Sequence, residues 1–231
     1  MGVKLVPPQG EFKNRTLAEQ VREMIQNAIV DGKLKPGQAI TEMEISEMLD
    51  MSRTPVREAF RLLTAQGFLN IVPRKGVFVS KLSLDELEDM YAVRIELEAM
   101  AMRLAVNLHA EAVVGRLTEN LSIQEECVAA KDVGRYIQEN IRFHEVFSDL
   151  CGNSYLRTLI ENIETSTLRY RAFSLRTLPG RMDASHRDHE FIRDFIRDGK
   201  LAIAEQVLRD HILVSKEQMA VLLTSGKPND V

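Results

Sequence analysis

The chain has 231 residues, 45% of them hydrophobic, with 30 Lys and Arg against 34 Asp and Glu and a formal net charge of −4. That length and apolar content allow two modest cores, and no run approaches the roughly 20 apolar residues a membrane span needs. The N-terminus lacks the apolar segment of a signal peptide, and Cys127 and Cys151 lack metal-ligand spacing, so the expected setting is the cytoplasm with both thiols reduced.

The first predicted helix opens at the capping box Thr16-Leu-Ala-Glu19, carries Leu17, Val21, Ile25, Ala28 and Ile29 at helical spacing, and ends at Gly32. After the turn at Pro36-Gly37, a second capping box, Thr41 to Glu44, opens a short helix to about Leu49, with Ile40 and Ile45 spaced as a hydrophobic staple. Leu49-Asp-Met-Ser52 reads as a tight turn. Ser52 is placed to cap a third helix, and Pro55 falls in its first turn, where a missing N–H does no harm. On that helix Val56, Ala59, Phe60 and Leu63 make an apolar face, while Arg53, Arg57 and Arg61 recur every four residues on another side.

From Gly67 the period changes. Phe68 to Val79 holds two short β-prone runs around Arg74-Lys75-Gly76, which read as a hairpin with a basic tip. Three helices and such a hairpin predict a winged helix-turn-helix, with Arg53 and Arg57 entering the major groove and the tip lying against the minor groove or backbone. An arginine stripe alone is often only a solvated face, but solvated faces mix signs. Between Arg53 and Lys75 there are five cations and one acid, Glu58, and residues 1–80 carry 11 Lys and Arg against 9 Asp and Glu while the rest of the chain is acidic. Affinity for DNA follows which cations reach phosphates, not the total charge.

The runs Gly32-Lys-Leu-Lys-Pro-Gly37, Glu44 to Leu49, Ser52-Arg-Thr-Pro-Val-Arg-Glu-Ala59, Gly67-Phe-Leu69 and Lys75 to Val79 resemble the N-terminal domain of the GntR family of bacterial transcription regulators, over roughly residues 15 to 80. The resemblance implies a homodimeric repressor, less often an activator, that leaves or rearranges on a palindromic operator in double-stranded DNA when a small metabolite binds its C-terminal domain. It further implies that Arg53 and Arg57 contact bases and that Ser52, Thr54 and the tip at Arg74, Lys75 and Gly76 hold the backbone, with Arg61 on the same basic face.

Beyond a DNA-binding domain at residues 1–80, residues 84–231 predict a mainly α second domain, a six-helix antiparallel bundle. Its helices are expected from Ser83 to about Leu108, then near Ala110–Ala130, Val133–Leu150, Tyr155–Leu175, Asp183–Asp198 and Leu201–Leu223. Polar residues interrupt the apolar faces. Asn140 and His144 stack four apart among Tyr136, Ile137 and Phe147; His189 lines up with Ile192 and Ile196; His211 lines up with Ala204 and Leu208. His109 and His186 fall off these faces and are expected at the surface.

A single histidine on an apolar face is ordinarily a hydrogen-bonded core residue. Three converging imidazoles are costly to bury without partners and costlier to protonate together, and a divalent cation resolves both problems. Neutral imidazoles suit Zn, Ni, Fe or Cu, and an oxygen from Asn140 extends the choice to Mn. The same residues resemble the FCD type of effector domain, which often holds a metal on an Asp-x-x-x-His pair and two later histidines. The pair maps onto Asn140 and His144, and the others onto His189 and His211. Asn stands where many relatives have Asp, which removes one negative charge and weakens metal affinity.

Arg94 is also out of place, one heptad after Leu87 and one before Ala101. It is either half of an ordinary i,i+4 pair with Glu98 or, with Glu98, part of a pocket that clamps the carboxylate of a small organic acid beside the metal. Two other functions compete with a ligand-controlled regulator. A metal-dependent helical enzyme leaves the DNA-binding half unexplained, and an architectural DNA binder leaves the histidines unexplained.

Overall fold

Capping boxes set the first two helices. In the computed structural model, which describes residues 16–225, α1 (Leu17–Val30) begins where Thr16 Oγ1 accepts from the Glu19 backbone and Glu19 returns the bond to the Thr16 N–H. Val21, Met24, Ile25, Ala28 and Ile29 are buried, whereas Leu17, expected on that face, is exposed and Ala18 is buried in its stead. In α2 (Glu42–Leu49), Thr41 and Glu44 make the same reciprocal pair. Asp50 closes α2 in the left-handed region at φ 51°, which makes the turn tight.

α3 (Arg53–Ala65) packs Val56, Ala59, Phe60 and Leu63 inward, against α1 and α2. Ser52 stands at its N-cap, yet makes no side-chain capping bond, contrary to the sequence expectation. Its backbone is extended there, and the residue is exposed.

The hairpin comprises β2 (Leu69–Val72) and β3 (Gly76–Val79), antiparallel with Val72 opposite Gly76. A two-residue strand, β1 (Ala39–Ile40), adds to the far side of β3 with Ile40 opposite Val77, giving the order β1-β3-β2. This third strand was not expected, because two residues carry no readable alternation. Arg74 at φ 65° and Gly76 at φ 116° turn the tip, which is closed by Lys75 N–H donating to Val72 O at 3.0 Å.

The described residues divide into two compact units, 16–83 and 84–225. In the second, α4 (Leu84–Ala130) packs against α5 (Val133–Leu150), α6 (Ser154–Thr177), α7 (Arg181–Arg197) and α8 (Leu201–Ser225). The two helices expected at 84–108 and 110–130 are continuous in α4 except for a kink at His109, whose φ of −146° is not helical. Leu108 is exposed beside the kink and lies over Gly152, where a Cβ would come within 2.9 Å of Leu108 Cδ1. The core includes Leu87, Tyr91, Met102, Leu117, Phe143, Phe147, Ile192 and Leu208, and Cys127 and Cys151 are buried free thiols. No helix among the described residues is long and apolar enough to cross a membrane.

Candidate DNA-reading surface and candidate metal centre

In the first unit, burying the apolar face of α3 forces the opposite face outward. Arg53, Thr54, Arg57 and Arg61 are all exposed, as are Ser52 before the helix and Arg74, Lys75 and Gly76 at the hairpin tip. Arg57 alone among the arginines of α3 has a carboxylate partner among the described residues. Its Nε donates to both oxygens of Glu42, at 3.1 and 3.2 Å, and its Nη2 donates to Oε2 at 3.1 Å.

In the second unit, His144 from α5, His189 from α7 and His211 from α8 converge. One ligand atom of each lies within 4.8 Å of the others, and all three residues are buried. Each ring has an oxygen behind it. His144 Nδ1 meets Glu98 Oε2 at 2.5 Å, His189 Nδ1 meets Gln124 Oε1 at 2.9 Å, and His211 Nδ1 meets Asp188 Oδ2 at 3.0 Å. An acceptor at Nδ1 keeps the proton there and leaves Nε2 with a bare lone pair, the tautomer a metal requires. His189 Nε2 is buried and makes no hydrogen bond. Phe143 stacks on the His189 ring at 3.7 Å between centroids and fixes its plane.

Electrostatics favour neutral rings. Burial pushes His144 down to about 3, with Glu98 opposing and Arg171 assisting, and burial likewise holds His189 and His211 below the ordinary histidine value. Burial opposes ionisation of Glu98, but Arg94 and His144 outweigh it and keep the carboxyl below the usual range. Three neutral imidazoles with committed Nδ1 atoms and a buried, unsatisfied Nε2 form a donor set that fits a divalent ion.

The remaining expected residues lie close by in altered roles. Asn140 is one turn before His144, but its Oδ1 accepts from Arg171 Nη2 at 2.6 Å and its Nδ2 donates to Ser185. That oxygen is engaged by a guanidinium, and the donors brought together at the site are the three imidazoles. Arg94 donates through Nε to Glu98 Oε1 at 2.5 Å, and both side chains are 2% exposed. The i,i+4 pair therefore exists, but buried, and Glu98 has one oxygen on Arg94 and the other on His144. His186, expected at the surface, is buried because it lies three residues before His189 on the same face of α7. His109 is exposed at the kink.

A protein-family model for bacterial regulatory proteins of the gntR family matches residues 17–79, and the FCD domain model matches residues 89–213. The chain belongs to the GntR family. Relatives of this regulator include the uncharacterized HTH-type transcriptional regulator YdhC of Bacillus subtilis, 27% identical over 91% of this chain and 94% of that one. Another is the probable D-xylose utilization operon transcriptional repressor of Paenarthrobacter nicotinovorans, 31% identical over 85% and 86%. Among solved structures, E. coli McbR/YncC has the same fold, with a TM-score of 0.75, 22% identity and coverage of 93% of this chain and 100% of that one. This GntR regulator is a DNA-binding transcription factor with an FCD domain, and its family and relatives are regulators, not enzymes.

Gln124, Asp188 and Arg171 join the site without having been expected from the sequence. Gln124 was detectable, since it and Asn120 stand four apart on a stripe with Leu117 and Leu121, and Gln124 Nε2 donates to Asn120 Oδ1 at 2.7 Å. Arg171 carried no signal, because a lone arginine on a helix reads as solvated, yet it is only 4% exposed.

Proposed function

We propose that this regulator is a cytoplasmic repressor whose grip on a palindromic operator is set by a small organic acid, held with a divalent metal in the C-terminal bundle. The observation that carries the metal is the convergence of three buried imidazoles, each with an oxygen behind its Nδ1, so that Nε2 is left to a ligand. His144, His189 and His211 would hold the ion, with Glu98, Gln124 and Asp188 orienting them. Zn, Ni or Fe suits this donor set, and Mn becomes suitable if effector oxygens join it. The ion would supply a Lewis-acidic point for an oxygen of the effector.

Arg94 and Arg171 add fixed positive charge beside that point. Arg171 Nη1 lies 3.6 Å from Glu164 Oε1, and neither atom makes a hydrogen bond. A carboxylate reaching this guanidinium would satisfy a buried donor that water cannot easily serve. Arg94 stays an effector contact through its Nη groups, Glu98 becomes the orienter of His144, and Asn140 aligns Arg171.

On DNA, Arg53 and Arg57 read base edges, while Ser52, Thr54, Arg61 and the tip at Arg74, Lys75 and Gly76 meet phosphates and sugars. The uncommitted Ser52 hydroxyl supports a phosphate contact. Two copies place two such surfaces on the operator. Support for a homodimer is an unpartnered apolar stripe on α4, where Val93 and Met100 are exposed and Leu97 and Leu104 are half-buried at helical spacing.

The test is release from a labelled operator, selected from genomic fragments, as small organic acids are added to metal-loaded protein. Release by an acid in the parent, lost in His144→Ala while operator binding persists, is the expected result. An operator complex unaffected by every acid and by chelator would leave an architectural DNA binder as the better description.

A further inference from the structure

A guanidinium is a flat fork of five N–H donors with two edges that can each engage a pair of acceptors. In Arg57, Glu42 occupies the edge formed by Nε and Nη2. The edge formed by Nη1 and Nη2 remains, with two parallel donors at the spacing that meets O6 and N7 of guanine. The Arg57 side chain is 66% exposed, on the helix face that also carries Arg53 and Arg61. Glu42 is the first residue of α2, where the helix end favours negative charge. An arginine held in this way has surrendered much of its rotamer freedom before DNA arrives.

We infer that Glu42 is a positioning residue for base readout: it locks Arg57 with its outer edge presented to the major groove, so that each operator half-site contains a guanine read by Arg57. The inference rests on the DNA-reading assignment of α3. Glu42 could serve the opposite purpose, as a plug that occupies Arg57 and repels phosphates. A plug weakens binding to every sequence alike, whereas a positioning residue sharpens preference at one base pair.

The full-length protein, Glu42→Gln, Glu42→Ala and Arg57→Ala are each used to select from a random-sequence duplex pool. The parent's winning duplex is then titrated with every single-base change, at two salt concentrations, and melting temperatures confirm that each variant folds. The expected result is one G·C pair per half-site that the parent prefers by about tenfold or more. Glu42→Ala and Arg57→Ala lose preference at that pair and keep it elsewhere, and Glu42→Gln, which retains one acceptor, falls between. The inference is overturned if the Glu42 variants bind all duplexes more tightly with base preferences intact, or if they match the parent. Should the parent enrich no duplex at all, the DNA-reading assignment falls with it. A parent motif that survives Glu42→Ala sinks the inference alone.

Discussion

Each histidine of the triad is useful because of the atom behind it. Asp188, partly exposed on α7, is the least embedded of the three supports, so Asp188→Asn tests orientation without dismantling the core. It should weaken metal affinity by about 10- to 100-fold, read by competition against a chromophoric chelator, with the melting temperature of the chelated protein nearly unchanged. Glu164 offers a separate residue-scale test. Burial pushes its carboxyl up to about 8, against the pull of Arg171. An acid whose folded value lies above its unfolded value of about 4.3 binds more protons when folded. Its contribution to stability is intact below that unfolded value and drains away as pH rises toward 8, by up to about 1.4 kcal/mol per pH unit. Between pH 6.5 and 8 the chelated parent should lose thermal stability, and Glu164→Gln should flatten that slope. Helical spacing made the three histidines legible, because period fixes which face a residue takes. It did not show Asp188 behind His211 or Arg171 beside Asn140, since those pairings join different helices and depend on packing.

At the scale of elements, local chemistry was the best guide. Both capping boxes form where Thr and Glu stand three apart, and Thr41→Ala should cost about 1 kcal/mol of stability, measured by denaturant unfolding of the full chain. The reading surface divides into specifying and gripping parts. Arg57→Ala should lose roughly 1–3 kcal/mol of operator affinity and relax base preference, whereas Lys75→Ala should weaken all sequences evenly and reduce the salt slope by about one. Equal effects of the two on every duplex would show that α3 grips without reading. The parts that sequence did not reveal at this scale are those with no period to report. They are the two-residue β1, the kink at His109, where helical residues continue on both sides, and the absent Ser52 capping bond, which depends on one rotamer.

For the whole molecule, the division of charge anticipated the division of labour: net +2 in residues 1–80 and net −6 in the remainder, in a chain of net −4. Assembly makes a testable demand on α4. If Val93, Leu97, Met100 and Leu104 meet a second copy, Met100→Glu should shift the protein from dimer to monomer in sedimentation and weaken its hold on a two-half-site operator far more than on one half-site. Elemental analysis of protein purified without added ions examines the three-histidine centre directly. The expected result is close to one divalent transition metal per chain in the parent, and loss of that metal in a folded His189→Ala variant. A parent devoid of metal that also fails to take up Zn, Ni, Mn or Fe on dialysis, or a His189→Ala variant with undiminished content, would contradict it.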